Sequence, residues 1–239
     1  MPTIASRFLG YLMNLSLPLI FAQPATTADL TQVYAIIPFL NILFTYGLET
    51  AFFRFSQSEK DPSKVYPTAL VAILFTSILL FVGMSLSAPW IARVAGDAGP
   101  MSDRIPLLIV WFAGILATDA VAAIPFARLR LENKAFRFAF IRLVNIALNI
   151  GLNLFFLVLC PRLWISGNSL VTAWYDPSLS VGYVFLSNLI ASGITLLLLL
   201  PQLRPVTAGW DSDLLKRMLR YGWSLMIAGL DRKSTRLNS

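Results

Sequence analysis

Long apolar runs separated by short polar stretches set the rhythm of this chain. Apolar runs cover Ile4–Phe21, Val33–Phe53, Val65–Leu86, Ile105–Phe126, Phe138–Cys160 and Val181–Leu200, and a seventh opens at Tyr221. Each of the six is close to the ~20 residues that a helix needs to cross a bilayer. Strand-like alternation is absent, and unpaired backbone groups cannot face lipid, so the runs are expected to be helices. The connectors are Ala22–Gln32, Arg54–Lys64, Ser87–Arg104, Ala127–Arg137, Pro161–Ser180 and Pro201–Arg220. The third carries a short interfacial helix over Ala88–Val94, and the sixth a short amphipathic helix over Asp213–Arg220. The expected fold class is all-α, a polytopic membrane helix bundle of six transmembrane helices plus the start of a seventh.

Charge fixes an expected orientation. The second, fourth and sixth connectors hold eleven Lys and Arg, and the first, third and fifth hold only Arg93, Arg104 and Arg162. Short basic loops stay inside, so this alternation predicts six crossings with the N-terminus in the cytoplasm. Arg7, early in the first run, is expected either to snorkel to the inner interface from a short first helix or to belong to a helix whose beginning is missing. Trp90, Trp164, Trp174 and Trp210 all fall in connectors, where an aromatic belt would put them.

Composition agrees. The chain of 239 residues is 57% hydrophobic and only 13% charged, against about 25% charged in soluble domains, which leaves too little polar surface to cover a water-facing globule. No histidine and a single cysteine, Cys160, exclude the usual zinc sets, a Ser-His-Asp triad and a disulfide framework. The net charge of +7 is sorted into alternate loops, not gathered on one face, so no nucleic-acid partner is expected. No phosphate-binding glycine loop is present, and no cofactor or metal is expected. The last nine residues, 231–239, match the translation of a common sequencing adapter and are set aside as an artefact. The expected organisation is an N-terminal six-helix bundle over 1–220 and a truncated seventh helix over 221–230.

Polar side chains at membrane depth are costly unless they face protein or water. In the fifth run Arg142, Asn145, Asn149 and Asn153 are spaced 3, 4, 4; at 100° per residue they fall within about 80° of one another, a single stripe on an apolar helix. Asn41, Thr45 and Glu49 repeat at 4 in the second run, and Arg7, Tyr11, Asn14 and Pro18 at 4, 3, 4 in the first. Thr118 and Asp119 lie inside the fourth. Such stripes either tie helices together through interhelical hydrogen bonds of ~0.6–2 kcal/mol or line a hydrated cavity. An ion pair of Arg142 with Asp119 is the main structural alternative. Asp211-Ser212-Asp213 has the spacing of a metal-dependent glycosyltransferase motif, but it reads better as the N-terminal cap of the amphipathic helix.

Two segments, Tyr46–Phe55 (YGLETAFFRF) and Ile124–Lys134 (IPFARLRLENK), resemble bacterial polysaccharide biosynthesis proteins of the oligosaccharide flippase type, within the multidrug/oligosaccharidyl-lipid/polysaccharide exporter superfamily. The likeness extends over most of Ile4–Leu230. It implies two pseudo-symmetric bundles around a central cavity, of which this chain is similar to the first, so the missing C-terminal half is an expected partner. It also implies a transporter, not an enzyme. The cargo would be a lipid-linked oligosaccharide, on an undecaprenyl pyrophosphate carrier, crossing the bacterial inner membrane by alternating access. On that reading Arg142 and Arg7 would pair with phosphate oxygens, and Asn145, Asn149, Asn153, Asn41 and Asn14 would bond sugar hydroxyls. Asp119 or Glu49 would bind a coupling proton or sodium ion, and membrane lipid would hold the cargo's tail. Alternatives are a multidrug or metabolite exporter of the same fold, a half-sized transporter that dimerises, and a membrane-bound glycosyl- or acyltransferase using Asp211 and Asp213 or Asp119.

Overall fold

A computed structural model of the chain describes residues 44–95, 104–179, 182–203 and 209–237. The first expected span, with Arg7 and Asn14, lies outside them, as does Asn41. The described residues are helical throughout, with no strand among them. In chain order the helices are α1 (Leu48–Ser58), α2 (Val65–Ala95), α3 (Ile105–Leu131), α4 (Ala135–Leu154), α5 (Cys160–Ile165), α6 (Ser169–Thr172), α7 (Gly182–Leu203) and α8 (Ser212–Leu237). A π-helical turn, Phe155–Leu159, joins α4 to α5 without a break.

Four helical segments are long and apolar enough to cross a membrane: Pro62–Arg93, Ile105–Leu131, Ala135–Ile165 and Gly182–Leu203. They begin within three residues of the expected runs, and they mark a membrane-embedded protein. Their ends are where sequence and structure differ. The expected interfacial helix Ala88–Val94 lies in the last two turns of α2, which continues through Pro89. The expected amphipathic helix and the seventh run are one helix, α8, continuous across Tyr221 and on to Leu237.

Local chemistry explains several boundaries. Gly47, at φ 71° in the left-handed region, turns the chain into α1. Asp61-Pro62 opens the single turn before α2, with proline where its missing N–H costs nothing. Asn133, at φ 54°, closes α3, and the Lys134 N–H donates back to the Leu129 carbonyl at 2.9 Å. The π turn directly precedes Pro161, which has no N–H to give to the helical ladder.

The chain divides into two compact units. In the first, the described residues fall within Phe81–Ile115 and Ala139–Thr195. Its core is aromatic: Phe156, Tyr175 and Tyr183 are buried together with Cys160, Val171 and Leu179. The Tyr183 ring stacks on Phe156 at 5.1 Å and on Tyr175 at 4.9 Å, and its hydroxyl accepts from the Asp176 N–H at 2.9 Å. Burial pushes the Tyr175 phenol up to about 12, so it stays neutral. The connector after Pro161 thus holds a folded aromatic cluster, with Arg104 bound to Asp176 at 2.6 Å.

In the second unit, the described residues fall within Pro38–Leu80, Leu116–Phe138 and Leu196–Ser239. Leu48, Phe52, Leu70, Ile73, Ile124 and Leu129 are fully buried there, and α8 contributes Leu214 and Met218. Along α2, which runs on into the first unit after Leu80, the apolar side chains Phe75, Ile78, Leu79, Val82, Leu86 and Trp90 are spaced 3, 1, 3, 4 and 4 residues apart and are all exposed. A row of that length has no place in water and suits lipid.

Candidate functional site

The polar stripe forms on α4, but its members differ in what they meet. Arg142 is exposed at the end nearer the α3–α4 turn. Asn145 is half-buried and donates through Nδ2 to Thr195 Oγ1 of α7 at 2.9 Å. Two turns on, Asn153 donates through Nδ2 to Asn149 Oδ1 at 2.9 Å. Asn153 is only 6% exposed, and its Oδ1 has no hydrogen-bond partner. A buried amide oxygen in that state costs about 1–3 kcal/mol. Knitting between helices accounts for Asn145; it does not account for Asn153.

Of the two expected ion-coupling carboxylates, Asp119 lies exposed on α3; Glu49 lies on α1, and its carboxylate meets Arg130. The Arg130 guanidinium also lies over the Phe53 ring at 5.1 Å and the Phe138 ring at 5.5 Å. This pairing was missed in the sequence because its partners are 81 residues apart. Arg128 reaches Glu132 at 2.6 Å and covers the Tyr66 ring at 4.3 Å. Lys134 closes on the same Glu132 at 2.7 Å, and the Lys134 ammonium with the Arg128 guanidinium holds that carboxyl below the usual carboxylate range. A cavity of about 370 Å³ lies beside these groups, lined by Phe52, Ser56, Tyr66, Arg128 and Glu132 among others.

Asp211 behaves as a helix cap. Its Oδ1 accepts from the N–H groups of Asp213 and Leu214, each at 3.0 Å, and these bonds, the Leu214 one foremost, keep the carboxyl below its ordinary range. Asp213 is engaged by Lys216 at 3.5 Å. Among the described residues no group of three or more Cys, Asp or Glu could hold a metal ion.

A second, larger cavity lies in the same unit. It is a groove of about 1210 Å³ between α2 and the start of α8, almost wholly apolar in lining.

No protein-family model, curated protein or solved structure matches the chain. What the described residues define is therefore a class only: an all-helical, membrane-embedded protein, one of whose long helices carries an incompletely satisfied polar face.

Proposed function

We propose that the protein is part of a transporter that moves a lipid-linked oligosaccharide, of the undecaprenyl-pyrophosphate type, across the bacterial inner membrane by alternating access. The observation that carries this reading is the α4 face, where a guanidinium and three amides line up on a membrane-length helix and the most buried amide oxygen, on Asn153, lacks a partner. Sugar hydroxyls and a pyrophosphate cannot cross hydrocarbon unaided, because each desolvated polar group costs several kcal/mol. A hydrated cleft removes that cost. Amides both donate to and accept from hydroxyls, and a guanidinium suits phosphate.

An arginine beside asparagines favours an anionic, hydroxylated cargo over the cations that a multidrug exporter takes. The resemblance of Tyr46–Phe55 and Ile124–Lys134 to oligosaccharide flippases points the same way. Asp119, at membrane depth on α3, or Glu49 would bind a coupling proton or sodium ion. Alternating access would come from this bundle rocking against a second one, with the N-terminus cytoplasmic. The capping role of Asp211 speaks against the transferase reading, and no bond is made or broken in the proposed scheme.

The test is Arg142→Ala in the complete protein. Polysaccharide export should be lost while membrane insertion and abundance are retained, and Arg142→Lys should keep part of the activity. Full export by Arg142→Ala would remove the proposed phosphate contact.

A further inference from the structure

The groove between α2 and α8 has features that the transport reading does not use. On α2 its wall is Val71, Phe75 and Leu79, on α8 Leu215, Leu219 and Trp223, each set spaced by four residues so that one face of each helix is presented. From Val71 to Leu80 the wall runs nine residue steps, roughly 14 Å at 1.5 Å per residue. That is close to one leaflet's share, about 15 Å, of the hydrocarbon thickness. The groove is open to the outside: Phe75 is 68% exposed and Trp223 54%. A volume of about 1210 Å³ exceeds the ~300–1,000 Å³ of ordinary small-ligand pockets.

One charged side chain lines it, that of Arg220. Its neighbours on α8 are occupied, Lys216 by Asp213 at 3.5 Å and Arg217 by Glu59 at 3.0 Å. Among the described residues Arg220 has no acidic partner, and it is exposed. Trp210 also borders the groove, and α8 opens with basic residues beside apolar ones, the composition of a helix lying in a membrane interface.

We propose that this groove is a binding site for one anionic phospholipid of the surrounding bilayer, with an acyl chain lying between α2 and α8 and its phosphate on Arg220. A zwitterionic lipid would bring its own headgroup cation up against the guanidinium, and a lipid without phosphate would leave it unmatched. A protein helix filling so apolar a groove would bury that charge, at a cost that only an added carboxylate could offset. The site does not depend on which cargo the protein moves.

The experiment uses the full chain in phosphatidylcholine vesicles doped with phosphatidylglycerol. Native mass spectrometry after gentle detergent release should show one retained phosphatidylglycerol, enriched over its share of the vesicle. Arg220→Ala should lower that enrichment about tenfold, the loss of one charge-assisted hydrogen bond, and Arg220→Lys should largely preserve it. Val71→Trp, at a partly exposed position of the wall, which fills the groove and leaves the charge, should abolish retention. In parallel, brominated phosphatidylglycerol should quench tryptophan emission more than brominated phosphatidylcholine, with the difference reduced in Trp223→Phe. Equal retention of the two lipids, unchanged enrichment in Arg220→Ala, or a lipid-free dimer would each overturn the proposal.

Discussion

Gly47 and Gly222 meet backbone against backbone where α1 begins and α8 passes it. A Cβ on Gly47 would stand 2.6 Å from the Gly222 carbonyl oxygen, and a Cβ on Gly222 would stand 2.9 Å from the Tyr46 carbonyl oxygen. Neither obstacle is a flexible side chain, so a methyl group must push main chain apart. Gly222→Ala is therefore expected to destabilise the protein by about 1–3 kcal/mol, the usual cost of overpacking. Gly47→Ala should cost more, because its φ of 71° adds left-handed strain. Thermal unfolding in detergent measures both, and a Gly222→Ala midpoint equal to wild type would mean that the helices separate freely.

The Glu49–Arg130 pair invites a double-mutant cycle. Its side chains are 37% and 42% exposed, so the coupling between Glu49→Gln and Arg130→Gln should be modest, below about 1 kcal/mol, and should weaken in high salt. A role for Glu49 as the coupling carboxylate would instead appear as loss of transport in Glu49→Gln at unchanged stability.

Asp176 provides a pH dependence with a definite sign. Hydrogen bonds from Ser178, and next to them the Arg104 guanidinium, hold its carboxyl below the usual range. A depressed folded pKa means that the carboxylate's contribution is complete above the unfolded value of about 3.9 and is lost as pH falls through the folded one. Melting of the connector should thus be flat from roughly pH 7 to 5 and decline below about 4. Asp176→Asn should remove that part of the acid sensitivity, which hydrogen exchange at the Ser166–Leu179 amides can follow.

Asn153 separates the two meanings of a polar stripe. Replacement by leucine removes the orphaned oxygen, at about 1–3 kcal/mol, along with the bond to Asn149, at about 1. Stability of Asn153→Leu should then stay within about 1 kcal/mol of wild type while export declines. A large loss of stability with export intact would assign the stripe to helix association alone.

Hydrophobic periodicity made the long helices legible. α2, α3 and α7 begin where their apolar runs begin, because a backbone in lipid has few alternatives to the helix. Their ends were less legible: Pro89 reads as a terminator in water, yet α2 passes it. The extension of α8 through Tyr221 was hidden by the switch from an amphipathic to an apolar pattern, which changes a helix's surroundings and not its backbone. In the polar stripe, spacing revealed that Asn145, Asn149 and Asn153 share a face. It could not reveal which amide would find a partner, since Thr195 lies 50 residues from Asn145. The groove lies further still from sequence reasoning, because its walls are joined only by folding.

The turn from α3 to α4 contains three residues, Glu132, Asn133 and Lys134, between two membrane-length helices, and Phe126 and Phe138 meet across it edge to face at 5.4 Å. So short a link gives neither helix room to enter the bilayer ahead of the other. The pair would be expected to insert together, as one hairpin. Its tip, with Arg128 and Lys134 on Glu132 and Arg130 on Glu49, would resist being dragged through hydrocarbon.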